Sequence, residues 1–265
     1  MASTVWLEPH LVWNLPLLAF LTFIAVFYAF AIKRNTTLKL YHKQPLFFFL
    51  GLGILYVSTG SPLSTISHLS FSFHMIQMSV LYFIIPPVLL LGIPDLLLLN
   101  ILKARIIRTF SKLVLAPKLA LVIFAVLFLM YHFPVVLNVL SQSHFIRSGY
   151  TLLLLLLAFT IWWPIASPDP KLRYYKSEKK RYVFLSGLLL MPACAFFIIT
   201  ALMNDINNPF LTQLTAGFCL PVNIQSLHLL PPLFNTKVDQ ISAGFFMLGV
   251  HKLGLYITYK LGNHE

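Results

Sequence analysis

Apolar residues run along this chain in blocks of about twenty, separated by short polar or basic connections. The blocks lie at about 12–32, 45–61, 71–93, 117–139, 148–166, 183–203 and 239–259, close to the ~20 residues with which a helix crosses roughly 30 Å of hydrocarbon. Lipid cannot satisfy free backbone N–H and C=O groups, so each block is expected to be helical. The pattern predicts an all-α integral membrane protein, a seven-helix transmembrane bundle forming a single polytopic domain over residues 1–265. Gly92-Ile93-Pro94 is expected to close the third span, and Ser167-Pro168-Asp169-Pro170 the fifth. Between the sixth and seventh blocks, Phe210 to Leu230 is apolar but interrupted by Gln213, Pro221, Asn223, Gln225 and His228. Such residues are costly at the bilayer centre, so 204–238 reads as an external loop on the membrane interface.

Composition sharpens this picture. Hydrophobic residues make up 58% of the chain and charged residues only 10%, with a mean hydropathy of +0.84. Soluble domains carry about a quarter charged residues. The net charge of +12 does not indicate nucleic-acid binding, because the basic residues are spread over the inter-span connections. Fifteen of the nineteen lie after the first span (Lys33, Arg34, Lys39, Lys43), the third (Lys103, Arg105, Arg108, Lys112, Lys118) and the fifth (Lys171, Arg173, Lys176, Lys179, Lys180, Arg181). The positive-inside bias then places the N-terminus outside and the C-terminus in the cytoplasm. The segment before the first block lacks Lys and Arg and contains Glu8, so that block is expected to be a permanent span rather than a cleaved leader.

Threaded this way, His10, His68, His74, His132, His144 and His228 fall at or near the outer face, with Met75, Met78, Met130, Met203 and Cys219. Imidazole and thioether donors gathered at one membrane face suit copper, and Cu(I) in particular. His74 and Met78 are four apart and share a helix face, with Met75 bordering the stripe and Gln77 beside it. His132, at a similar depth on the fourth span, is the best candidate for a ligand from a neighbouring helix. The metal set is therefore His74, Met75, Met78 and His132, with Gln77, His68 and His144 as accessory residues. The plain alternative is that the histidines are interhelical hydrogen-bonding groups and the methionines fill gaps. Asp239 opens the last block, either to cap its own helix or to hold a ligating imidazole in one tautomer.

Other features carry less chemistry. Cys194 reads as a buried small hydrophobe, and Cys219 as an inert thiol or else an accessory soft ligand. Pro86-Pro87 interrupts the third helix and frees carbonyls at about 82–83. Trp162-Trp163-Pro164 reads as interfacial aromatic anchoring. No HExxH, CxxC, phosphate loop or nucleophile elbow occurs in the chain, and an enzyme is not expected. Missing mid-span acids and internal repeats argue against a transporter.

The runs His74-Met75-Ile76-Gln77-Met78 and Ile85-Pro86-Pro87-Val88-Leu89-Leu90-Leu91-Gly92-Ile93-Pro94 resemble the motifs of the CtaG family of cytochrome c oxidase assembly proteins. Tyr131-His132-Phe133-Pro134, Trp162-Trp163-Pro164 and Asp239-Gln240 leading to Gly244 and Met247 agree with it. The resemblance implies a multi-pass protein of the bacterial plasma membrane that matures a caa-type oxidase through copper handling, with an oxidase subunit as partner. Many members carry a His where this chain has Met78, and a close His pair where it has His144 and Ser148. The expected function is thus an assembly factor binding copper at the outer face and supporting metallation of an oxidase subunit. Its competitors are a haem protein with His74 and His132 as axial ligands, and a metal-free scaffold that docks the subunit through 204–238.

Overall fold

The computed structural model describes residues 13–67, 70–97, 116–203 and 237–261. Among them the regular structure is entirely helical: α1 (Leu15–Asn35), α2 (Lys43–Gly60), α3 (Pro62–Ser67), α4 (Phe71–Ser79), α5 (Ile85–Leu91), α6 (Pro117–Met130), α7 (Pro134–Ser141), α8 (His144–Ala166), α9 (Lys176–Met203) and α10 (Lys237–Leu261). A π-helical turn, Val80–Ile84, joins α4 to α5, so Phe71–Leu91 is one continuous rod. Five helices are long and apolar enough to cross a membrane: α1, the Phe71–Leu91 rod, α8, α9 and α10. α2, with 18 residues, and α6, with 14, fall short of that measure. Large apolar side chains such as Phe23, Phe27, Leu156, Phe184 and Phe245 point outward, as lipid requires and water would not tolerate in such numbers. The chain is a multi-pass membrane protein.

One predicted element divides. The apolar block 117–139 reads as a single span, but the helix stops at Met130 and α7 starts at Pro134. Pro134 clashes with helical backbone at the residue before it, and Phe133 is accordingly extended (φ −80°, ψ 135°). The turn this creates carries His132.

The double proline of the third rod acts as its position dictates. Pro86 and Pro87 have no N–H to offer the carbonyls four residues earlier, those of Tyr82 and Phe83. The backbone widens into the π turn over Val80–Ile84, and both oxygens are met by other helices. Trp162 Nε1 on α8 donates to the Tyr82 carbonyl at 3.0 Å. At Gly254 on α10 an added Cβ would sit 2.5 Å from the Phe83 oxygen, so only glycine permits this approach. The expectation that Trp162 anchors at the membrane interface is corrected here: its ring is buried, and its N–H replaces one that proline removed.

Helix ends are tied in two sets. At one end, Tyr28 Oη donates to the Gly92 carbonyl at 2.6 Å and Tyr182 Oη to that of Ile161 at 2.8 Å, while Lys179 lies over the Tyr259 ring. This end gathers the last turn of α1 with Lys33 and Arg34, the start of α9 with Lys176 to Arg181 and the end of α10 with Lys260. The opposite end joins Asn14 to Gly60, Tyr150 Oη to the Leu127 carbonyl at 2.6 Å, and Gln240 to Thr200. Most of the described basic residues therefore collect at one pole, and His74, His132 and Asp239 stand at the other with Arg147 and Lys237.

Candidate functional site

At the pole away from most of the basic residues, α4 and α10 begin side by side while α6 and α9 end. Ser70-Phe71-Ser72 precedes the apolar run of the third rod and starts α4, with Ser70 in extended backbone at the N-cap. The carboxylate that completes the cap comes from another helix. Asp239 accepts the Phe71 N–H at 2.7 Å, the Ser72 N–H at 3.2 Å, the Ser70 hydroxyl at 2.9 Å, and the Ser72 hydroxyl. Asp239 is 5% exposed, and a buried carboxylate must be matched by donors in this way. Of the two sequence expectations for Asp239, the cap is right in kind but wrong in helix. All its described bonds go to Ser70, Phe71 and Ser72, so support of an imidazole has no contact behind it here.

The next residue, Gln240, is fully buried, and its Nε2 donates to Thr200 Oγ1 on α9 at 2.8 Å. Its Oε1 has no hydrogen-bond partner among the described residues. Gln77 is also committed: its Nε2 donates to the Ser58 carbonyl at 2.6 Å, and its Oε1 accepts from Ser67 at 2.6 Å. It joins α4 to α2 and α3 rather than attending a ligand.

His132 is 2% exposed. Its Nδ1 lies 2.5 Å from the Phe128 carbonyl, an atom that can only accept, so Nδ1 carries the proton and Nε2 presents a lone pair. Nε2 is buried and has no partner among the described residues. The imidazole is walled by Phe128 and Phe197, both at 4.9 Å, and by Tyr131 at 5.5 Å, all edge-to-face. Those rings belong to the buried cluster that also contains Met75, Met78 and Met247. An imidazole held through Nδ1–H by a carbonyl is left with Nε2 as its open donor nitrogen.

The structure buries His132, Met75 and Met78, the two methionines in the same large apolar cluster as the rings around His132. His74 is half-buried on an adjoining flank of α4. His144 provides the first residue of α8, and His68 lies outside the described residues, as do His10, Cys219, His228 and residues 204–236 of the expected loop. Cys194 is buried in α9, as expected of a small hydrophobe. Among the described residues no three His, Cys, Asp or Glu side chains converge as a metal site, so a centre here depends on thioether sulfur. Ser70, Ser72, Thr200 and Phe197 escaped sequence reasoning. The Ser-x-Ser before an apolar run was a legible start signal, but its partner 167 residues away was not.

The comparisons with known proteins agree with the motifs. No curated protein and no solved structure matches the chain. The family model for the cytochrome c oxidase caa3 assembly factor (Caa3_CtaG) matches residues 26–258, from within α1 almost to the end of α10. With that match spanning nearly the whole chain, and with Asp239, His132 and the double proline all set into the helix packing, the chain belongs to the cytochrome c oxidase caa3 assembly factor family.

Proposed function

We propose that this chain crosses the bacterial plasma membrane seven times, N-terminus outside, and holds Cu(I) at its outer pole as cargo for a subunit of the caa3 oxidase. The gathering of most of the described basic residues at the other pole, against Arg147 and Lys237 at this one, supports this orientation. The observation that carries the copper reading is His132: a buried imidazole, fixed in one tautomer by the Phe128 carbonyl, whose Nε2 lacks a partner among the described residues. Leaving such a nitrogen unpaired costs about 1–3 kcal/mol, and a soft cation is the occupant that Met75 and Met78 suit. His132, Met75 and Met78 are assigned as holding ligands. His74, half-exposed on the same helix as the methionines, is assigned the receiving role. Asp239 acts through the helix, by fixing where α4 starts. The protein binds and hands over an ion rather than turning over a substrate.

A haem between His74 and His132 is disfavoured by the three rings that close around His132. The test is Cu(I) loading of detergent-purified wild type and His132→Ala, paired with oxidase maturation in cells at equal membrane abundance. Loss of about one copper equivalent, together with impaired maturation, supports the reading. Unchanged copper in His132→Ala, His74→Ala and Met75→Leu would sink it and leave a metal-free scaffold as the better account. A Soret band in the purified protein would favour haem instead.

A further inference from the structure

Soft donors continue down the last span beneath the outer centre. Met247 and His251 are 0% and 1% exposed. They lie four residues apart on α10, on one face a turn apart. This is the spacing of His74 and Met78 in reverse order, on the helix packed against theirs. Two contacts register α10 on the third rod: Asp239 with Ser70 and Ser72 at the outer end, and Gly254 against the Phe83 carbonyl further in. Interpolating between them puts Met247 level with Met78 and His251 about one turn deeper. The 4.7 Å between the His251 and Phe83 rings agrees with that depth.

His251 is not satisfied as an ordinary core histidine. Its Nε2 faces Ser186 Oγ on α9 at 3.4 Å, and its Nδ1 is buried with no hydrogen-bond partner among the described residues. In the tautomer whose Nε2–H is directed at the Ser186 oxygen, Nδ1 keeps a free lone pair. Met247 belongs to the same buried cluster as Met75 and Met78.

We propose that Met247 and His251 form a second Cu(I) position, beneath the one at His132. The inference rests on the copper reading above and gives the cargo two stations between the third rod and α10. Both donors are neutral, so an ion moves between stations by ligand exchange, staying Cu(I), with no proton or electron transferred.

The experiment is anaerobic Cu(I) loading of the full-length protein in detergent, read by copper stoichiometry and Cu K-edge X-ray absorption. The wild type is expected to hold about two equivalents of this soft ion. Met247→Leu and His251→Gln should each hold about one less, with reduced sulfur or nitrogen scattering respectively. Met247→Leu conserves core volume and His251→Gln keeps a polar group, and unchanged thermal midpoints certify both folds. A wild type with one equivalent that is lost in His132→Ala but kept in both α10 variants overturns the inner station and leaves the outer centre standing. A second equivalent retained in both α10 variants also overturns it. A wild type holding no copper overturns both readings together.

Discussion

Asp239→Asn isolates the contact that registers the last span on the third. The native carboxylate receives two backbone N–H groups and two serine hydroxyls at the start of α4. Asparagine keeps the shape but leaves one acceptor oxygen and turns the other position into a donor. That donor meets the Phe71 or Ser72 N–H head-on, since neither amide can reverse, while the hydroxyls can rotate and recover part of the loss. A hydrogen bond to a charged group contributes about 1.5–3 kcal/mol net. A carboxylate at a helix N-terminus adds about 0.3–1 kcal/mol through the macrodipole. Allowing for the hydroxyls, the substitution should cost about 2–4 kcal/mol. For a chain of this size that is a fall in Tm of about 5–15 °C, measured by thermal unfolding in one detergent. Amide exchange over residues 70–75 should quicken at the same time, because the Phe71 and Ser72 N–H groups lose their acceptor. Ser72→Ala should cost much less when combined with Asp239→Asn than in the wild type, as interacting neighbours do in a double-mutant cycle. An unchanged Tm with unchanged exchange at 70–75 would refute the cap.

Two further substitutions probe the third rod. Gly254→Ala forces a methyl to within 2.5 Å of the Phe83 carbonyl and should destabilise by about 1–3 kcal/mol. Gly249→Ala, which meets nothing within 4 Å, should be neutral or stabilising by up to ~1 kcal/mol from helix propensity. Equal thermal midpoints for the two alanine variants would contradict the close approach of α10. Trp162→Phe removes the N–H that serves the Tyr82 carbonyl and should cost about 1–3 kcal/mol. Its indole-specific part is checked by comparison with Trp163→Phe, and equal losses from both would show that the bond contributes nothing.

Much of the bundle was legible because lipid leaves the backbone no alternative to helix. Six of the seven apolar blocks each meet one helix, with boundaries moved by a few residues, and 117–139 meets two. α9 starts at Lys176 rather than near 183, since the lysines at the basic pole continue the helix beyond its apolar part. The break after Met130 was written in Pro134, but hydrophobicity runs through it and hides the turn. The Tyr82 and Phe83 carbonyls followed from Pro86 and Pro87 by counting back four residues.

The candidate site divides the same way. Residue type and spacing singled out His74, Met75, Met78, His132 and Asp239, and the motifs they form carried the family. What Asp239 caps, which atom meets the Tyr82 carbonyl and which imidazole nitrogen stays open depend on contacts between distant parts of the chain. Composition and local pattern determine helices, poles and donor types, because those follow from the solvent and from neighbours a turn away. Partnership is decided by packing, since a carboxylate on α10 serves α4 only once Gly254 lets the last span approach the third rod, within 2.5 Å of the Phe83 carbonyl as measured from an added Cβ.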